Sequence, residues 1–121
     1  MTTKPRGPLE GIRVIDLTAV MLGPFATQIL GEMGADVIKV EPPGGEIGRW
    51  TGVSKSPGMS AAAIMKGRNK RSVVLDLKKA EGLAALKRLV ESADVFVHNM
   101  RAEATERLGI DYPCVVKWKP D

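Results

Sequence analysis

The sequence is poor in the residue types on which several classes of function depend. It has one cysteine and one histidine among 121 residues, so it has neither an internal disulfide nor the ligand cluster that a metal site needs. Aromatic residues make up 4%, which argues against a module that stacks the bases of single-stranded nucleic acid. No run approaches the ~20 apolar residues of a membrane-spanning helix. The first residues lack the apolar core of a secretory signal. We therefore expect a cytoplasmic protein with no membrane span.

Two nucleotide-binding signatures are also missing. There is no G-x-x-x-x-G-K-[ST] phosphate loop and no G-x-G-x-x-G after the first apolar run, which argues against P-loop nucleotides and nicotinamide cofactors. The remaining composition is ordinary: 44% of the residues are apolar, 26% are charged, and the net charge is +4. This balance predicts one globular unit over residues 1–121 with a polar lead at 1–8, and it permits an anionic ligand.

Short β-branched runs alternate with helical patterns along the chain. Four strands are predicted: Ile12–Leu17, Asp36–Glu41, Ser72–Leu77 and Asp94–Asn99. The first predicted helix begins at Pro24 and ends before Gly34, and it has Phe25, Ile29, Leu30 and Met33 at helical spacing. Four further helices are predicted: a short one at Met59–Met65, then Lys78–Ala93, Arg101–Gly109 and Asp111–Lys119. Asp111 is the expected N-cap of the last helix. Residues 42–60 form a long loop. Such alternation predicts an α/β fold with a parallel sheet.

Ligands of parallel α/β sheets bind beyond the carboxyl ends of the strands. The segments expected at that edge are TAVMLGP, EPPGG, DLKK and HNMRAE, which follow the four predicted strands. The strand-end carboxylates Asp16, Glu41 and Asp76 are better explained as structural than as catalytic groups. A catalytic dyad of His98 and Cys114 lacks a third group to orient it, so a structural role is again the simpler interpretation.

Two long stretches of the sequence resemble the family III CoA transferases, the CaiB/BaiF family. They are LEGIRVIDLTAVMLGPFATQILGEMGADVIKVEPPGG and GRNKRSVVLDLKKAEGLAALKRLVESADVFVHNMRAEATERLGIDY. The resemblance covers the chain from about Leu9 to Asp121. It implies the N-terminal part of a Rossmann-like large domain, in an enzyme that moves CoA between an acyl-CoA thioester and a free carboxylic acid. It also implies an interlocked homodimer, and acyl-CoA as substrate rather than a tightly bound cofactor.

The family pattern implies a set of coenzyme A contacts on this chain. They are Met21, Leu22, Leu75, Asp76, Leu77, Lys78, Asn99, Met100, Arg101 and Arg107. Lys78, Arg101 and Arg107 are the expected partners of the phosphates, because Arg presents a fork that matches phosphate oxygens. Leu22 and Leu75 are expected against apolar parts of the ligand.

Three departures from the family pattern limit what it implies. Pro42 stands where some members have Arg, and His98 replaces a frequent Glu. The family's catalytic Asp is expected beyond this chain, and Asp121 does not match it, so no catalytic residue is assigned. Three alternatives stay open: an α-methylacyl-CoA racemase, a non-catalytic CoA-binding fragment, and a basic nucleic-acid binder. The sequence has no motif of a known nucleic-acid-binding module, so no nucleic-acid partner is expected.

The densest positive charge lies in KGRNKR, at residues 66–71. These cations precede a strand whose far end faces the expected ligand, and five residues of strand span roughly 17 Å. We therefore expect Lys70 and Arg71 to pair with carboxylates elsewhere in the protein rather than with the phosphates of CoA.

Overall fold

A single parallel sheet is the centre of the fold in the computed structural model, which describes residues 7–120. Its strands are β1 Arg13–Asp16, β2 Asp36–Glu41, β3 Lys70–Val74 and β4 Val95–Val97. They lie in the order β3-β2-β1-β4, and every neighbouring pair is parallel. This is the order of half of a doubly wound fold, in which the chain changes direction between β1 and β4. The predicted α/β class is confirmed.

Helices connect and flank the strands within the described part of the chain. They are α1 Leu22–Glu32, α2 Ala61–Lys66, α3 Ala80–Glu91, α4 Ala102–Leu108 and α5 Tyr112–Trp118. The predicted long loop also contains a short 3₁₀ helix, Ile47–Trp50. Gly109 ends α4 in the left-handed conformation that favours glycine. Asp111 precedes α5 as predicted, but its side chain makes no capping hydrogen bond. No helix of residues 7–120 is both long and apolar enough to cross a bilayer.

The main core lies between one face of the sheet and α3. Ile15, Leu86 and Ile110 are fully buried there. Because β2 has a neighbour on each side, its residues from Val37 to Glu41 are buried. Its bounds were predicted correctly from the β-branched residues Val37, Ile38 and Val40 and from Pro42, which ends the run, although the charged side chains of Lys39 and Glu41 are buried as well.

The predicted third strand was placed too late in the sequence. It was expected at Ser72–Leu77, but β3 is Lys70–Val74. Its pairing with β2 ends opposite Glu41, and the next residue of β2, Pro42, has no N–H to continue the ladder. Leu75 makes the last hydrogen bond to β2, from its N–H to the Glu41 carbonyl at 2.9 Å. Residues 76 and 77 lie beyond the edge of the sheet.

Three of the four apolar residues predicted at helical spacing in α1 face outward, whereas Leu30 packs partly buried against the cluster of Val14, Ala35 and Val37. Phe25, Ile29 and Met33 are 40–48% exposed, whereas the face toward the sheet carries Thr27, Gln28 and Gly31. Helical spacing identified the helix correctly, but apolar character did not identify its buried face. The reason is local: a Cβ on Gly31 would lie 3.0 Å from the Asn69 carbonyl oxygen, so a small residue is needed where α1 meets the start of β3.

Candidate functional site

The carboxyl ends of β1 and β2 open into a largely apolar cleft of about 370 Å³. It is lined by Leu17–Ala19, Val40–Pro43, Glu46, Ile47, Leu75–Lys78, Met100 and Leu108. Residues 75–77 reach it because β3 ends early, and α4 closes it through Leu108. The cleft therefore lies where the topology of a parallel sheet places a ligand.

A second cleft of about 620 Å³ adjoins the first and is cationic. Leu77, Lys78 and Leu108 line both clefts. The second also contains Lys79 and Arg107, and together with Lys78 these exposed side chains bring three positive charges to one rim. An elongated ligand with an anionic end and an apolar end matches this pair of clefts.

The structure brings together six of the ten residues expected to contact coenzyme A. Those that line one or both clefts are Leu75, Asp76, Leu77, Lys78, Met100 and Arg107. Met21 and Leu22, at the start of α1, are exposed and line neither cleft, and the same is true of the exposed Arg101. The set of ten remains a prediction, with the six cleft residues as its spatially coherent part.

Asn99, the tenth residue, is engaged within the protein. Its side-chain oxygen accepts a hydrogen bond from the Ala19 N–H, and its amide group donates one to the Ala19 carbonyl, both at 2.9 Å. Since Ala19 follows β1 and Asn99 follows β4, this pair joins the two loops across the point where the strand order reverses. Asn99 thus shapes the site by holding the backbone of Ala19 in place.

Side chains also hold the residue before Ala19. The Thr18 N–H donates to the Asp16 carboxylate at 2.8 Å, and the buried Lys39 ammonium donates to the Thr18 carbonyl at 2.7 Å. The turn that follows β1 is consequently fixed by its surroundings, although it has no regular secondary structure of its own.

The next residue, Val20, has a φ of +73°, a conformation that is costly for a β-branched side chain. Its N–H donates to a Glu46 carboxylate oxygen at 2.7 Å. Its carbonyl accepts a hydrogen bond from the Lys66 ammonium. Every backbone polar group of Thr18, Ala19 and Val20 therefore has a side-chain partner.

In the wall of the cleft, Glu41 is 1% exposed and accepts several hydrogen bonds. Arg49 donates to both carboxylate oxygens at 2.5 Å, and Ser72 and the Glu46 N–H donate at 2.7 and 2.9 Å. The Arg49 hydrogen bonds, followed in effect by those from Glu46 and Ser72, outweigh burial and lower the pKa of Glu41 to about 2. Glu41 is a structural anion, in agreement with the interpretation from sequence.

Asp16 is the second buried carboxylate, and it is paired with Lys70. The Lys70 ammonium lies 3.0 Å from Asp16 and donates to Thr27 at 2.6 Å. Burial raises the pKa of Asp16, but hydrogen bonds from Thr18 and Thr27 with the nearby ammonium groups bring it below its ordinary value. Burial lowers the pKa of Lys70, and the Asp16 charge opposes this. This pair is also structural.

All four cations of the basic run make contacts within the protein. Arg71 contacts Asp36 at 2.6 Å and Arg68 contacts Glu32. Lys66 is buried against the Val20 carbonyl, and the buried Lys70 side chain contacts Asp16. The prediction that Lys70 and Arg71 pair with carboxylates is confirmed. Arg68 and Arg71 remain more than 60% exposed, but each is paired with a carboxylate.

The remaining reactive side chains have structural surroundings. A hydrogen bond with Asp111 raises the pKa of the Cys114 thiol, which lowers the fraction of reactive thiolate. His98 accepts a hydrogen bond from the Met100 N–H at 3.3 Å and lies beside Phe96. Among residues 7–120, no group of three or more His, Cys, Asp or Glu could hold a metal ion. Asp121 lies outside the described residues.

Sequence reasoning missed three residues that matter at this site: Lys79, Glu46 and Lys66. Lys79 could have been found from the sequence, because it directly follows Lys78 just before α3. Glu46 lies in a loop without periodicity, and Lys66 was counted only as one cation of the basic run at residues 66–71. Only the fold brings those two charges to the turn after β1.

Comparison with known proteins places this geometry in context. The profile described as CoA-transferase family III matches residues 9–121. The chain is 46% identical over 121 residues to succinate–glutarate CoA-transferase of Agrobacterium fabrum, covering 93% of this chain and 30% of that protein. It is 40% identical over 114 residues to succinyl-CoA:glutarate CoA-transferase of Mus musculus, covering 93% and 26%.

A solved structure of a CaiB/BaiF family protein from Brucella suis superposes with a TM-score of 0.86 at 34% identity. The match covers 93% of this chain and 31% of that chain. The chain thus spans about 30% of the length of these similar proteins.

Proposed function

Because the chain belongs to CoA-transferase family III, we propose that it supplies the coenzyme A-binding part of an enzyme that moves CoA between an acyl-CoA thioester and a free carboxylic acid. The observation that carries this proposal is the pair of adjoining clefts. One has three cations at its rim, and the other is mainly apolar. Coenzyme A has the matching chemistry, with phosphates at one end and a largely uncharged arm that ends in the thiol.

In this proposal, the chain binds and orients the thioester. Lys78, Lys79 and Arg107 hold the phosphates in the second cleft. The arm then passes Leu77 and Leu108, which line both clefts, toward the turn after β1. Such positioning reduces the entropic cost of bringing the thioester to an attacking carboxylate. No residue of this chain is proposed as that carboxylate.

The comparisons favour transfer over racemisation. The similar proteins from Agrobacterium fabrum and Mus musculus are both named as CoA-transferases that act with glutarate. Acyl-CoA and a carboxylic acid are accordingly the substrates we propose for the whole protein. The homodimer, the cytoplasmic location and the absence of a nucleic-acid partner stay predictions.

Titration calorimetry of coenzyme A with the purified chain tests the proposal. Arg107→Ala should weaken binding about tenfold, since a charge-assisted hydrogen bond to phosphate contributes roughly 1.5–3 kcal/mol. The control is Lys87→Ala, which removes one positive charge from α3 at a side chain that lines neither cleft. The affinity should also fall as salt is raised, because the rim charges are exposed and screened. Equal losses in the two variants would place the ligand elsewhere.

A further inference from the structure

The conformation of Val20 has a cost that its surroundings must offset. Within residues 7–120, Val20 and Asn69 are the two non-glycine residues with a positive φ. Asn adopts this region readily, whereas a β-branched residue does so only when the structure holds it there. Val20 is also 58% exposed, so packing of its side chain supplies little of that restraint.

Two buried charges supply the restraint, one on each side of the residue. Glu46 accepts from the Val20 N–H at 2.7 Å, and Lys66 donates to the Val20 carbonyl. Glu46 is 8% exposed and Lys66 is 5% exposed. Charges are rarely buried to this degree without a partner, because desolvation is expensive. Both charged groups are directed at the backbone of one strained residue.

The loop around Glu46 is built to accommodate its carboxylate. A Cβ on Gly48 would lie 2.6 Å from a Glu46 side-chain oxygen. Glycine at position 48 therefore leaves the space that the carboxylate occupies beside Val20. Lys66 reaches the same turn from the last residue of α2. Two segments that are distant in sequence thus converge on the two peptide units that flank Val20.

We propose that Glu46 and Lys66 are positioning residues, which together hold the turn after β1 in its strained form as a wall of the acyl-CoA cleft. The inference rests on the proposed function for the identity of the ligand. Residues 17–19 and Glu46 line the apolar cleft but not the cationic one. With the phosphates at the cationic rim, the thioester end of an acyl-CoA lies toward this wall.

As a consequence, the backbone of the turn contacts the ligand through its shape and not through hydrogen bonds. The backbone polar groups of Thr18–Val20 are all bound to side chains of the protein. A displacement of this rigid wall changes the space available to the thioester end. Glu46 and Lys66 therefore affect acyl-CoA binding through Val20.

Substitutions that remove one restraint test this directly. Lys66→Met keeps the long stem and loses the donor, and Glu46→Val loses the acceptor. Each should weaken binding of acetyl-CoA to the purified chain roughly tenfold, at the lower end of what a strained backbone conformation can cost. Glu46→Gln keeps an acceptor oxygen for the Val20 N–H and should therefore lose less affinity than Glu46→Val.

A rescue experiment separates positioning from a general loss of stability. Glycine adopts a positive φ without penalty, and alanine does not. Adding Val20→Gly to Lys66→Met should therefore recover most of the lost affinity, while Val20→Ala should recover none. The amide hydrogen-exchange rate of residue 20, followed by NMR without ligand, should rise about tenfold in Lys66→Met and fall again when Val20→Gly is added.

Each outcome is decisive. Recovery with glycine and not alanine, in both affinity and exchange, supports the proposal. Equal effects of glycine and alanine would overturn it and assign Lys66 a merely structural role. If the unmodified chain binds neither coenzyme A nor acetyl-CoA, the proposed function fails and the ligand part of this inference fails with it. The exchange rates then decide separately whether the two charges hold the turn.

Discussion

Neutralising Glu41 should destabilise the fold by an amount that follows from its hydrogen bonds. Its carboxylate is 1% exposed and is paired with Arg49. Its pKa falls from 4.5 to about 2 on folding. A pKa difference of about 2.5 corresponds to roughly 3.4 kcal/mol, at about 1.36 kcal/mol per pKa unit. Because Arg49 stays partly exposed, solvent takes up part of the loss, and Glu41→Gln should lower the free energy of unfolding by about 3 kcal/mol at pH 7.

The pH dependence provides a second test of the same reasoning. A carboxylate whose pKa is lowered by folding stabilises the protein fully above its unfolded pKa, here 4.5. That contribution declines as the pH falls toward the folded pKa of about 2. At pH 3 only about 1.4 kcal/mol of it should remain. The difference between the unmodified chain and Glu41→Gln should shrink accordingly.

Urea unfolding at pH 7 and pH 3, followed by circular dichroism, measures both quantities. The matched control is Glu106→Gln, which removes a carboxylate from an exposed position in α4 and should change stability by less than ~0.5 kcal/mol. If Glu41→Gln is no more destabilising than Glu106→Gln, the hydrogen-bonded carboxylate does not stabilise the fold. A difference between the chains that stays constant with pH would refute the assignment of the lowered pKa to Glu41.

Two further predictions concern the core and the basic run. Leu86→Ala should lower the free energy of unfolding in urea by about 2–5 kcal/mol, because Leu86 is fully buried. The control Ile64→Ala, at a 55% exposed position of α2, should lower it far less. Similar decreases in the two variants would contradict the described core. The dissociation constant for duplex DNA should be ~10⁻⁴ M or higher at physiological salt. The reason is that the cations of residues 66–71 already have partners within the protein. A sequence-dependent gel shift at nanomolar protein would refute this prediction.

The sequence by itself determined the fold class, and it led to the prediction that a ligand binds at the carboxyl edge of the sheet. Alternating β-branched runs and helical patterns are local properties, and parallel strands with right-handed crossovers follow from them. The run DLKK was correctly placed beyond the carboxyl edge of the sheet, where Lys78 lines both clefts. The bounds of β2 were also predicted correctly, because its β-branched residues are followed directly by Pro42 and Pro43.

The tertiary structure alone decided what each charge does. Lys66 and Lys70 look alike in the sequence, yet Lys66 holds Val20 and Lys70 pairs with Asp16. The buried face of α1 was likewise decided by close approach and hydrogen bonding, which placed Thr27 inside and Phe25 outside. The physical reason is that hydrophobic periodicity is set by near neighbours along the chain. A charge acquires its role from partners dozens of residues away, which only the completed fold brings within hydrogen-bond distance.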